Sequence, residues 1–243
     1  MKALIFAAGV GSRLKPWTDS HPKALVEVGG KPMLQHVIEN IISAGINDII
    51  INIHHFGEQI IDFVRSKDFN ARINFSDERG HLLETGGGLR KIVPMLRDES
   101  VLIHNADIIT DLDLRKIVYD QLRKTSAATL LVSYRDSSRR IVFDEKGRMK
   151  GWTNVATCQV KPAGLEIADT DRRLSFDGIH VVSADLYPLL MEYRPADTPF
   201  SIMDFYIDSC RDTDIRAFEM PEGTKWFDVG KPATLEAANK TFS

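Results

Sequence analysis

Near its amino end the chain carries two glycines, an arginine and a lysine, spaced to hold a row of phosphates. Ala7-Ala8-Gly9-Val10-Gly11-Ser12-Arg13-Leu14-Lys15-Pro16 is followed by Pro22-Lys23-Ala24-Leu25. Glycine lets a backbone turn tightly and approach a ligand closely. Bare N–H groups in such a loop form a nest for phosphate oxygens. Arg13 offers a bidentate fork to phosphate, and Lys23 a point charge. A dinucleotide fingerprint does not fit, because its third glycine would stand where Leu14 is, and the G-K-S/T of a P-loop is missing. On the glycines alone a simple turn is an open alternative. The Arg-Leu-Lys-Pro and Pro-Lys-Ala-Leu continuation argues against it.

Two distant carboxylates could complete such a site. Asp107 follows the apolar run Val101-Leu102-Ile103, and Asp228 stands just before Gly230 in a short aromatic segment. In open α/β sheets ligands bind beyond the carboxyl ends of the strands, so the loop after the first strand and Asp107 are expected on one rim. Two carboxylates meeting there would hold one Mg²⁺ against phosphate oxygens. On residue type alone, Asp107 serves equally as a capping or turn Asp, and Asp228 as a turn residue. His54-His55 has no metal-ligand spacing. Trp152, Trp226 and Phe227 read as core or pocket wall.

Ala-Ala-Gly-x-Gly-Ser-Arg-Leu-x-Pro with Pro-Lys-Ala-Leu resembles the signature of the sugar-1-phosphate nucleotidylyltransferases. The resemblance recurs at Leu83-Glu84-Thr85-Gly86-Gly87-Gly88, Asn105-Ala106-Asp107, Phe176-Asp177-Gly178-Ile179 and Trp226-Phe227-Asp228-Val229-Gly230, and so spans nearly the whole chain. It implies in-line attack by a sugar 1-phosphate on the α-phosphorus of a nucleoside triphosphate, giving a nucleotide sugar and pyrophosphate. Positioning and charge neutralisation would supply the catalysis. The attacking phosphate is already ionised, so no general base is needed. By this resemblance Arg13 holds the β- and γ-phosphates, Lys23 the α-phosphate, and Asp107 and Asp228 the Mg²⁺. Ala8, Gly9 and Gly11 cradle the nucleotide. Glu84, Thr85, Gly86 and Gly87 floor the base and ribose, with backbone groups open to a base edge. Asn105, Asn154, Glu166 and Gly178 fall at substrate-binding positions. The sequence departs from the family at Ala106, commonly glycine, which leaves the local loop geometry open. It departs again at Asp177, commonly a small polar residue, which either bonds a sugar hydroxyl or faces solvent. Uridylyl transfer to N-acetylmuramate 1-phosphate, a cell-wall recycling step, is the leading reading. Guanylyl transfer to mannose 1-phosphate and a non-catalytic nucleotide sensor are the alternatives.

The elements that must position these residues follow from periodicity. Strands are predicted at 3–7, 48–53, 72–75, 101–103 and 127–132. Helices are predicted from Pro32 to Gly45, over 57–64, over 87–96 with a break at Pro94, and over 114–122. The 48–53 run is nearly continuous in β-branched residues, as in a buried parallel strand. After Ser133 the pattern changes to a hairpin over 141–152 around Gly147, two short strands within 158–167, and a strand at 176–182. Helices at 183–191 and 201–210, a strand at 215–218 and a closing helix from Pro232 complete it. The expectation is an α/β fold: a Rossmann-like, mostly parallel sheet with helices on both faces and a β-rich C-terminal insertion completing a pocket. It would be one domain over 1–243, with a nucleotide-binding half to about 133 and a sugar-binding half from about 134.

Composition bounds the rest. The 243 residues are 43% hydrophobic with a net charge of −3. That core is ample, and the charge offers no broad attraction to nucleic acid or an anionic membrane. No apolar run approaches a membrane span. Cys158 and Cys210 form no metal motif, and with no secretion signal read in the first residues they are expected as reduced thiols in the cytoplasm. No C-terminal hexapeptide-repeat extension is expected. The anticipated partners are a nucleoside triphosphate and a sugar 1-phosphate, with the protein a monomer or homodimer.

Overall fold

The apolar runs fold as alternating strands and helices. The structure, a computed structural model, describes residues 1–9 and 11–242; Val10 of the glycine loop and Ser243 lie outside the described residues. In chain order the strands are β1 (Lys2–Phe6), β2 (Glu27–Val28), β3 (Lys31–Pro32), β4 (Asp48–Ile53), β5 (Arg72–Asp77), β6 (Val101–Asn105), β7 (Ile108–Thr110), β8 (Ala128–Ser133), β9 (Arg139–Phe143), β10 (Met149–Asn154), β11 (Gln159–Lys161), β12 (Arg172–Val182), β13 (Ile215–Glu219) and β14 (Trp226–Asp228). The α-helices are α1 (Met33–Ser43), α2 (Gly57–Arg65), α3 (Glu84–Leu96), α4 (Arg115–Lys124), α5 (Tyr187–Glu192), α6 (Ile202–Ser209) and α7 (Pro232–Phe242). The chain forms two units. Residues 1–82, 103–114 and 222–243 make the first, and residues 83–102 and 115–221 the second.

The first unit is the parallel α/β part. β1 pairs with β4, and β4 with β5, all parallel, with Ile5 opposite Ile51 and Ile51 opposite Phe75. β4 is buried on both faces from Ile49 onward, as a parallel strand covered by helices must be. α1 buries Met33, Leu34, Val37, Ile38 and Ile41, and α2 buries Ile60, Ile61 and Val64, each along one stripe. A second, smaller pairing joins β7 to β14 antiparallel, with Asp228 opposite Ile108. Beneath it lies an apolar cluster of Leu14, Val26, Val28, Met33, Ile109, Val229 and Ala238, against which Phe227, Leu235 and Phe242 pack.

The second unit is organised by the long strand β12. One end pairs antiparallel with β8 and the other with β9. The register shifts between Phe176 and His180, where Gly178 takes φ +78°. That left-handed conformation is open to glycine and strained for other residues, so Gly178 accommodates a bulge within the pairing of β12 with β8. β8 also pairs parallel with β13. β9 and β10 form the predicted hairpin, and β10 pairs antiparallel with β11, Trp152 opposite Lys161.

Two expectations need correction. Helix α3 begins at Glu84, three residues before the predicted start, and runs through Pro94. Pro94 stands in the last turn, where the lost hydrogen bond is one that few later residues depend on. Of the two short strands expected within 158–167, only β11 forms. Beyond it the Leu165 N–H reaches back to the Pro162 carbonyl at 3.1 Å, and Gly164 takes φ +76°, closing a turn.

Candidate active site

The first unit brings together the residues expected to handle phosphate. β1 ends at Phe6, and the next N–H, of Ala7, donates to Asn52 Oδ1 at 2.8 Å. Asn52 in turn donates to Glu78 Oε1 at 3.1 Å, all three groups being buried. This network pins the root of the loop. Ala8 is buried, whereas Gly9 is exposed and a Cβ built on it would meet nothing within 4 Å. Gly11 takes φ +69°. Its carbonyl accepts from the Leu14 N–H and the Thr18 hydroxyl, both at 2.9 Å. A Cβ there would stand 2.9 Å from Lys23 Cβ and 3.0 Å from Thr18 Cγ2. Glycine is therefore required twice at this position, by conformation and by the closeness of the lysine stem.

Lys23 opens a 3₁₀ turn after Pro22. It is only 9% exposed, and its Nζ lies 2.5 Å from Asp107 Oδ2. Asp107 occupies the turn between β6 and β7, with 30% of its side chain open to solvent. The Ala106 N–H donates to the Phe6 carbonyl at 3.0 Å, which ties this turn to the end of β1. Ala106 is buried and adopts no positive φ, so an alanine in place of the family's common glycine strains nothing. The Asp107 carbonyl accepts from the Val229 N–H at 2.9 Å, which sets Asp228 beside Asp107 along the chain pairing. A Cβ on Gly230 would lie 2.8 Å from an Arg13 guanidinium nitrogen and 3.0 Å from Asp228 Oδ1. Arg13, Lys23, Asp107 and Asp228 thus form one connected set around the glycine turn. Asn105 ends β6, half-buried, two residues from Asp107. His104, beneath it, is fully buried; burial lowers its pKa to about 4, so it is neutral near pH 7.

The set is held by the apolar cluster. Leu14 follows Arg13, Val26 lies one turn from Lys23, Ile109 lies two residues after Asp107, and Val229 follows Asp228; all four sit in that cluster. Burying each neighbour contributes about 1.5–3 kcal/mol and fixes its charged companion at the surface. Among the described residues no group of three or more His, Cys, Asp or Glu side chains converges as a metal cage.

The remaining predicted residues lie in the second unit. Glu84, Thr85, Gly86 and Gly87 form the first turn of α3. Their backbone is not open as expected. The Gly86 and Gly87 N–H groups both donate to the Phe200 carbonyl, at 2.8 and 3.3 Å, and Thr85 Oγ1 accepts from the Ile202 N–H at 3.0 Å. A Cβ on Gly86 would fall 2.2 Å from the Phe200 ring. These glycines let a neighbouring segment close over the helix start and satisfy its otherwise unpaired N–H groups.

Asn154 lines a cavity of about 560 Å³ in this unit, together with Arg139, Trp152, Lys161, Phe176 and Ser201. Such a volume suits a small polar molecule. Glu166 is exposed and does not line it; its carbonyl accepts from Lys150 Nζ at 3.2 Å. Asp177 neither faces solvent nor reaches toward a sugar. It is fully buried, with Oδ1 2.7 Å from Arg135 Nε. Burial raises its pKa, and Arg135 and Ser133 oppose the rise. The basic lining, Arg135, Arg139 and Lys161, was not anticipated from the sequence. Its only trace there is the cluster of arginines at 135, 139 and 140.

Comparison with known proteins bears on the family and the fold. The N-acetylmuramate alpha-1-phosphate uridylyltransferase of Caulobacter vibrioides is 36% identical over 110 residues, 44% of this chain and 46% of that protein. The mannose-1-phosphate guanyltransferase of Emericella nidulans is 31% identical over 96% of this chain and 61% of its own length. The chain therefore spans from about half to three fifths of these curated relatives. The crystal structure of HddC from Yersinia pseudotuberculosis, complexed with GMP-PN, shares the fold with a TM-score of 0.78 at 21% identity, covering 100% of this chain and 99% of that one. No helix among the described residues is long and apolar enough to cross a membrane. The nucleotidyl transferase family model matches residues 2–243, and the chain belongs to that family.

Proposed function

We propose that this protein transfers a nucleoside monophosphate from a nucleoside triphosphate to a sugar 1-phosphate, releasing pyrophosphate. The observation that carries this reading is the connected set of Arg13, Lys23, Asp107 and Asp228 around the Gly9–Gly11 turn. Arg13 grips the outer phosphates, which leave as pyrophosphate. Lys23, held close by the turn, meets the α-phosphate, where negative charge builds as the sugar phosphate attacks in line. Glycine backbone at the turn lets the triphosphate approach without a side chain between.

Asp107 and Asp228 suit Mg²⁺. They offer hard carboxylate oxygens, and Mg²⁺ commonly takes one or two carboxylates plus substrate phosphates. Asp107 already carries a cation in the form of the Lys23 ammonium. The ion, when bound, neutralises charge on the phosphate oxygens.

For the substrates, we favour UTP and N-acetylmuramate 1-phosphate, in the cytoplasm, as a step of cell-wall recycling. The support is the 36% identity to the Caulobacter uridylyltransferase. Guanylyl transfer to mannose 1-phosphate is the second reading, favoured by a match that runs along 96% of the chain. Pyrophosphate release measured with Mg²⁺, over four nucleoside triphosphates and a panel of sugar 1-phosphates, tests both. Turnover is expected with UTP and N-acetylmuramate 1-phosphate. Binding of nucleotide without turnover of any pair would leave a sensor in place of an enzyme.

A further inference from the structure

The cavity of the second unit is lined by three cations and one carboxylate, Asp204, so its walls offset the positive charge only in part. Of its three cations, Arg135 is committed to the buried Asp177 at 2.7 Å and to the Phe176 carbonyl at 2.7 Å. Lys161 is loosely placed, its Nζ 3.9 Å from Asp204 Oδ1 and 5.8 Å from the centre of the Trp152 ring. Arg139 lies at the start of β9, and among the described residues its guanidinium has no hydrogen bond or ion pair. It lines the cavity all the same. The other walls have the chemistry that binds sugars. Trp152 and Phe176 give ring faces, Asn154 and Gln159 give amides, and Ser201 gives a hydroxyl. A planar guanidinium with no partner, set in such a wall, matches a carboxylate or phosphate through two parallel hydrogen bonds.

We propose that this cavity selects a sugar 1-phosphate that bears a second anionic group, a carboxylate, with Arg139 as its principal partner and Lys161 assisting. The inference rests on the nucleotidylyl-transfer reading above and narrows its substrate. The anion could in chemical terms be the sugar's own 1-phosphate. Arg13 and Lys23 are assigned above to the phosphates of the nucleoside triphosphate, so the 1-phosphate is the rival occupant of Arg139, and the two sugars compared below separate it from the carboxylate. A lactyl ether carboxylate on an N-acetylhexosamine ring has this chemistry. Its ring and amide suit the aromatic and amide walls, and its acid suits the guanidinium.

The test compares N-acetylmuramate 1-phosphate with N-acetylglucosamine 1-phosphate, which differ only in the carboxylate-bearing ether. kcat/KM is measured for the wild type and for Arg139→Gln and Lys161→Gln. Arg139 is exposed, so its variant keeps the fold, and a thermal melt checks this. The wild type is expected to favour the carboxylate-bearing sugar. Arg139→Gln should lose about ten-fold or more of that preference, the scale of a charge-assisted hydrogen bond, and Lys161→Gln less. Equal losses on both sugars would assign Arg139 to the 1-phosphate and overturn the proposal. A wild-type preference that survives Arg139→Gln overturns it too while leaving the transferase reading intact. A wild type that turns over other sugar 1-phosphates but is indifferent to the carboxylate overturns both the proposal and the choice of N-acetylmuramate. Calorimetric titration of the same two sugars gives the preference without relying on turnover. A carboxylate contribution absent from binding in every variant counts against the proposal.

Discussion

The two units place their polar residues by opposite means. In the first, each charged group is tied through a near neighbour in sequence to one apolar cluster: Arg13 through Leu14, Lys23 through Val26, Asp107 through Ile109, Asp228 through Val229. In the second, the cavity takes one to three residues from each of β9, β10, β11, β12 and α6. It is shaped by strand pairing and by the ion pair of a half-buried Arg135 with the buried Asp177. The first plan writes itself into the sequence as short motifs, because the charge and its anchor sit within a few residues. The second leaves no motif. Charge placed by a common apolar anchor should fail abruptly when one member is lost, and a cavity built from scattered residues should change by degrees.

The largest expected effect lies in the first unit. Asp107→Asn and Asp228→Asn should each lower kcat by about 10²–10³-fold with little change in melting temperature. Near-normal turnover in either would remove that carboxylate from the site and break the comparison. Next, Lys23→Ala should lower kcat by about 10–100-fold, the range of a hydrogen bond to a charged group, with KM nearly unchanged. A change confined to KM would make Lys23 a ground-state binder. Third, in the second unit, Gly86→Ala must push a methyl into the Phe200 ring. Overpacking of this kind costs about 1–3 kcal/mol, readable as a lower denaturant midpoint. An unchanged midpoint would show that the 198–202 segment yields easily.

A last effect appears only in acid. His180 is buried, its ring nitrogens have no hydrogen-bond partner, and burial depresses its pKa to about 3. The unfolded chain protonates it near pH 6.5. Between those values the unfolded state holds a proton that the native state does not, so stability rises with pH there and is lost as pH falls from about 6.5 toward 3. His180→Phe should flatten that slope in urea melts taken at several pH values. An identical slope in the variant would assign the acid sensitivity to other groups.

The fold, and the identity of the charged residues that gather around the first unit's glycine turn, were largely legible in the sequence. The β-branched run at Ile49–Ile53 and the stripe from Met33 to Ile41 announced a covered parallel sheet, because both faces of such a strand are apolar. The glycine turn announced its conformation at Gly11. What stayed hidden depended on distant partners. β7 and β14 are three residues each, too short for a periodic signal, yet their pairing sets Asp228 beside Asp107. Gly86 and Gly87 read as open backbone, since nothing near them in sequence names the Phe200 carbonyl that takes their N–H groups. Asp177 was left between a sugar hydroxyl and solvent because its actual partner, Arg135, stands 42 residues away.

The cluster under the glycine turn also receives Ala238, and Phe242 packs on its flank. Both come from the last helix, so the chain's two ends share one foundation. Cutting the protein after Gly230 would delete no charged member of the site, yet it would strip the floor from Leu14 and let Arg13 wander. An affinity tag is for that reason safer on the first residue, before β1, than spliced into α7, where it would act on chemistry more than two hundred positions away.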